Sequence, residues 1–129
     1  MPRELEVTLQ EGPRMSARIG GHEIIMDQPT SSGGTDQGAT PAEAFVASIA
    51  ACQLFYAYRV LARRGIETDG ITAACQWTVG ENCIESVHVK LRMHETLEPE
   101  LAKAVQRAMD LCFVKVSIEL PLRVESAIE

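Results

Sequence analysis

The residues with most chemistry to offer are four cysteines, at positions 52, 75, 83 and 112. Cys52 sits inside ASIAACQLF, residues 47–55, a run almost wholly small and apolar. Two readings fit it. A free cysteine packs as a small hydrophobe. Alternatively the protein needs a thiol there. In the middle of an apolar helix, desolvation raises a thiol pKa and makes it inert. A nucleophilic Cys52 therefore needs a cation from elsewhere, and the candidates are Arg14, Arg18 and Arg59.

Cys75 falls on the apolar face of a strand pattern and reads as core. Cys83 follows a turn and is given no role. The pair lacks zinc-finger spacing, and no histidine stands at a matching distance. His88 and His94 lie on one exposed strand side, too far apart for a tight ligand pair. No metal and no cofactor is expected. Cys52 and Cys112 differ from the other two. Each is expected on the packed side of a helix, and only two long helices are expected, so a shared core lets the thiols approach.

The elements that must hold these residues follow from periodicity. ELEVTLQ, residues 4–10, alternates as a strand, with Leu5, Val7 and Leu9 on one face. Glu11-Gly12-Pro13 is a turn. Arg14 to Ile19 and His22 to Met26 form a hairpin about Gly20-Gly21. The loop DQPTSSGGTDQGATP follows, long enough to be functional and equally able to be a plain connector. Thr40, Pro41 and Glu43 open a helix as cap, first-turn proline and capping-box partner. It should run to about Arg64 and stop at Gly65. Its apolar surface runs nearly all round, as in a helix buried on most sides.

Residues 71–79 and 84–93 alternate as paired strands, turned at Glu81-Asn82. Ile71, Ala73, Cys75, Trp77 and Val79 share a face, as do Val87, Val89, Leu91 and Met93. Pro99 opens a second helix with a stripe of Leu101, Val105, Ala108 and Cys112. Pro121 interrupts, and Leu122 to Ile128 reads as a final strand. The sum is a single α+β domain over residues 1–129, with six or so strands in one sheet.

The chain has 129 residues and a net charge of −6, enough for one core. Beyond Arg63-Arg64 there is no basic cluster, so nucleic acid and anionic membranes are poor partners. MPRELEVTLQ lacks the continuous apolar run of a secretory signal. The Ala42–Leu54 stretch reads as too short for a bilayer span. A cytoplasmic protein with reduced thiols is expected.

Taken together, these residues resemble the OsmC/Ohr superfamily, the osmotically inducible protein C and organic hydroperoxide resistance proteins, in its OsmC-like branch. The resemblance covers essentially the whole chain. It is carried by Asp27-Gln28-Pro29, by Gly33-Gly34, by GATPAEAFVASIAAC ending at Cys52, and by Leu111-Cys112-Phe113-Val114 about sixty residues later. The resemblance implies an OsmC-like fold: antiparallel sheets, two long helices, and a central helix buried in an intertwined homodimer. It implies a thiol peroxidase for organic hydroperoxides, with Cys52 peroxidatic, Cys112 resolving and a dithiol as reductant. Arg14 is carried over as the thiolate-stabilising cation and Glu43 as its possible partner.

Two positions depart from the family pattern. Ala42 stands where the peroxidases have glutamate after the helix-opening proline, and Glu43 comes one residue later, about 100° round the helix. Phe113 stands where they have proline after the second cysteine. A non-catalytic dimeric redox-sensing or ligand-binding module on the same fold is therefore the alternative. Phe45, Phe55 and Phe113 are expected either to line an alkyl-binding pocket or to pack in the core.

Overall fold

The computed structural model describes residues 3–120 and 122–129. Among them stand five strands: β1 (Glu6–Leu9), β2 (Met15–Ile19), β3 (His22–Met26), β4 (Thr72–Val79) and β5 (Ile84–Arg92). Three α-helices accompany them: α1 (Pro41–Arg63), α2 (Pro99–Asp110) and α3 (Phe113–Glu119). The strands form two antiparallel sheets, β1-β2-β3 and β4-β5, not one. Two compact units result, one reaching to Phe45 and one starting at Val46.

In the first unit, the expected hairpin pairs Met15 with Met26 and Ile19 with His22. The loop after β3 is no slack connector. Asp27 donates its amide to the Ala39 carbonyl at 3.1 Å, and Asp36 returns its own to Gln28 at 3.0 Å. Both ends of the loop are thus pinned around Asp27, which is fully buried. Leu5, Val7 and Leu9 alternate as expected, yet all are exposed.

Helix α1 starts as its sequence dictates. Thr40 Oγ1 accepts the Glu43 amide at 3.2 Å, and Glu43 Oε1 accepts the Thr40 amide at 2.8 Å. Both bonds of a capping box are present, each satisfying an amide with no helical partner. At the other end Gly65 adopts φ 71°. The Gly65 amide meets the Ala62 carbonyl and the Ile66 amide that of Leu61, both at 3.1 Å. This is a Schellman ending, which needs the left-handed residue that glycine supplies.

The second unit has its core where α1 meets α2: Ala57, Leu61, Leu101, Val105 and Met109 are buried together. Val89 and Leu91 of β5, with Ile71 and Met93 just beyond the open end of the β4-β5 ribbon, pack against them. Ribbon register explains a difference from the sequence reading. Ala73 faces Leu91 near the helices, while Trp77 faces Val87 farther along. The cover ends before Trp77 and Val79, which are exposed although they share the apolar face.

Three further expectations are corrected. Cys112 does not end the second helix. Helix α2 stops at Asp110, and Cys112 caps a third helix, α3. Residues 122–129 form no strand: their backbone joins neither sheet, and alternation alone supplies no pairing partner; Pro121 lies outside the described residues. Finally, α1 reaches 23 residues, and an 18-residue window within it has a mean hydropathy of 1.5, long and apolar enough to cross a membrane. Length therefore does not separate a bilayer span from a core helix, as Ala42–Leu54 alone had suggested.

Candidate functional site

Cys52 lies halfway along α1 and is half-buried. Cys112 is fully buried between α2 and α3. Cys52 lies close enough to Cys112 to raise its thiol pKa, and both are free. The two residues expected to meet through a shared helix core do meet. What brings Cys112 there is the turn after α2 rather than α2 itself. Its backbone amide holds the Met109 carbonyl at 3.2 Å.

Cys112 is also the N-cap of α3. Its Sγ accepts the Lys115 amide at 3.3 Å. Burial pushes the Cys112 thiol up. The amides of Lys115 and Val114 pull it down, while the neighbouring Cys52 pushes it up again. The net shift is upward, so Cys112 stays a thiol at neutral pH. Cys75 is raised by burial alone, yet it is only half-buried and lies outside the core cluster where it was expected.

The charged residues named from sequence have partners of their own. Arg14 pairs with Glu11 at 3.4 Å and donates to Gln10 at 3.3 Å. Glu43 is engaged by Thr40 in the capping box. Arg18 pairs with Glu23 at 3.7 Å. Arg59 lies over the rings of Phe55 and Tyr56, at 5.8 and 5.6 Å. Phe45, Phe55 and Phe113 are all exposed, which removes the core-packing reading for them.

Two buried polar residues, one in each unit, were not singled out individually in the sequence. Asp27 appeared there only within a motif. Its Oδ1 accepts the Gln28 amide at 2.7 Å. Its Oδ2 accepts the Thr35 hydroxyl at 2.9 Å and the amides of Gln37 and Thr35 at 3.1 and 3.3 Å. Gln53 was hidden inside the apolar run. It is buried, and its Nε2 donates to the Met109 carbonyl at 3.2 Å. The available signal was a lone amide side chain in that run. An open concavity of about 460 Å³ on the β4-β5 ribbon, lined by Cys75, Trp77 and His88 among others, includes neither thiol of the pair.

With this geometry in place, comparison with known proteins is informative. The model of the OsmC-like protein family matches residues 34–127, which include both paired cysteines. This chain belongs to the OsmC-like family. Solved structures agree on the fold. A Psychrobacter arcticus protein described as an osmotic stress induced and detoxification response protein superposes with a TM-score of 0.80 at 24% identity, over 88% of this chain and 85% of that one. An organic hydroperoxide resistance protein OsmC from Legionella pneumophila gives 0.64 at 16% identity, over 92% and 89%. The organic hydroperoxide resistance protein OhrB of Bacillus subtilis gives 0.57 at 18% identity, over 88% and 90%. At these identities the likeness shows the fold alone. No curated protein matches the chain.

Proposed function

We propose that this OsmC-like protein is a thiol-dependent peroxidase that reduces organic hydroperoxides with Cys52 and Cys112. The observation that carries the reading is the proximity of two free thiols, Cys52 beside Cys112. Cys112 is fully buried with its thiol pushed up, and Cys52 is the less buried of the two, so Cys52 is assigned the attack.

The Cys52 thiolate attacks the outer oxygen of R–O–O–H. The O–O bond breaks, Cys52 becomes S–OH, and the alkoxide leaves and takes a proton to form R–OH. The Cys112 sulfur attacks the Cys52 sulfur, forming the disulfide and releasing water. An external dithiol reduces that disulfide, is itself oxidised to a cyclic or linked disulfide, and restores both thiols. Arg14 is retained as the cation brought to Cys52, and exposed Phe45, Phe55 and Phe113 as alkyl-chain contacts in a homodimer. Exposed Leu9, Phe55, Leu120 and Val124 support a partner copy, since soluble monomers seldom expose so much apolar surface. Light scattering should then give about twice 14.1 kDa. A reducing, cytoplasmic setting suits the cycle.

The test is consumption of an alkyl hydroperoxide with a dithiol, comparing wild type and Cys52→Ser. Loss of turnover in the variant supports the reading, and equal rates reject it. The capping bond of Glu43 favours one other reading, a redox-sensing module without turnover, because it occupies the carboxylate that would hold an arginine. Such a module oxidises once and does not cycle in the same assay.

A further inference from the structure

Gln53 follows Cys52 directly in α1 and is only 7% exposed. Its Nε2 donates to the Met109 carbonyl at 3.2 Å. Met109 stands in the last turn of α2, where carbonyls have no helical partner. The same oxygen accepts the Cys112 amide, also at 3.2 Å. One carbonyl therefore joins the residue after Cys52 to the backbone of Cys112. Buried side chains of this long helix are otherwise apolar: Val46, Ile49, Ala50, Ala57 and Leu61.

We infer that Gln53 is a positioning residue for the thiol pair: by clamping α1 to the Met109 carbonyl, it holds Cys52 within bonding reach of Cys112. The inference rests on the two-thiol reading above. Disulfide closure is demanding, since Cα atoms must lie within roughly 7 Å and the Cβ atoms at about 3.8 Å. Closure within one chain is favoured by how often the two groups meet in that geometry. A side chain that fixes helix against turn at the adjacent residue acts on that quantity. The reactivity of either sulfur alone is left unchanged.

The experiment equilibrates the folded protein with reduced and oxidised glutathione. The protein dithiol plus oxidised glutathione gives the protein disulfide plus two reduced glutathiones. The effective molarity of Cys52 and Cys112 is read by mass mapping. Gln53→Met has nearly the same length and no donor. Its effective molarity should fall about tenfold or more, while alkylation of reduced Cys52 proceeds as in wild type. In Gln53→Glu the protonated acid donates to Met109, whereas the carboxylate repels it. Its deficit relative to wild type at about pH 8 should shrink at about pH 5. A merely structural Gln53 lowers the melting temperature without moving the glutathione equilibrium. Wild-type effective molarity in Gln53→Met, or a deficit in Gln53→Glu that ignores pH, overturns the inference. If Gln53→Met does not fold, the Gln53→Glu comparison decides alone. A wild-type protein that never links Cys52 to Cys112 overturns the two-thiol reading as well, which separates the two failures.

Discussion

The sulfur of Cys112 is a helix cap: it accepts the Lys115 amide at 3.3 Å and closes the first turn of α3. The residue assigned to disulfide chemistry is thus also a structural acceptor. Serine is a favoured cap whose oxygen accepts the same amide, and alanine leaves it unpaired. Cys112→Ser should therefore be the more stable variant, with Cys112→Ala about 1 kcal/mol lower. Urea denaturation of the two reduced proteins measures the difference. A more stable alanine variant would refute the capping role.

The capping box at α1 makes a separate prediction. Thr40→Ala removes one of its bonds and should cost about 1 kcal/mol. Glu43→Gln keeps an acceptor for the Thr40 amide. It should leave both the melting temperature and hydroperoxide turnover near wild type. A large drop in turnover with an unchanged melting temperature would instead assign Glu43 to the chemistry.

What the sequence disclosed about this fold was whatever depends on local signals. Thr40, Pro41, Glu43 and Gly65 bounded α1 because capping and left-handed backbone are properties of a few adjacent residues. The β4-β5 ribbon was legible because alternation persists over eight and nine residues. Residues 122–128 alternate equally well and form no strand, since pairing depends on a neighbour that alternation does not specify. Cys112 was misplaced onto the second helix because its spacing from Val105 suits a helical stripe. The turn that carries it is held by the Met109 carbonyl, which Gln53 of α1 contacts. The thiol pair itself was legible through family resemblance and the shared helix core. The anchoring bonds of Asp27 and Gln53 were not, because hydrogen bonds across 8–10 and 56 residues leave no periodic trace.

Gly34 offers a steric test of the loop after β3. A Cβ there would fall within the contact shell of the Gln28 carbonyl and 2.8 Å from Asp27 Oδ1. Backbone, not a flexible side-chain tip, is what it would meet. Gly34→Ala should cost about 1–3 kcal/mol, as overpacking does. Gly21→Ala meets nothing within 4 Å and serves as the control. Equal unfolding midpoints for the two variants would contradict the packed loop.

Cys75 and Cys83 should separate under alkylation. Cys83 is exposed, whereas Cys75 is half-buried with its thiol pushed up by burial. Iodoacetamide at neutral pH should label Cys83 first and Cys75 slowly, because the thiolate is the reacting species. The linkage sign follows. A thiol whose folded pKa is raised contributes stability below its unfolded value, about 8.5, and that contribution is lost as pH rises through the folded value. Cys75→Ala should accordingly show a weaker loss of stability above about pH 8.5 than wild type. Parallel alkaline limbs would count against a buried neutral thiol.

Asp27 sets the opposite limit, at acid pH. Burial alone would push its carboxyl up. The amides of Gln37 and Gln28, with the hydroxyl and amide of Thr35, outweigh burial and hold it below the ordinary carboxylate value of 3.8. A carboxyl whose folded pKa is depressed contributes stability above its unfolded value of about 3.9. That contribution is lost as pH falls through the folded value. The first unit should therefore lose stability on acidification below about pH 4. The loss should be felt in the loop that Asp27 organises, because a protonated acid gives up part of its acceptor capacity. Asp27→Asn keeps one acceptor oxygen and does not titrate. It should be less stable than wild type at neutral pH, with a flatter acid limb. Urea unfolding from about pH 7 to about pH 2.5, followed by hydrogen exchange at Thr35 and Gln37, reads both effects. Protection at those two amides that is unchanged by Asp27→Asn would rule out the carboxylate as their anchor.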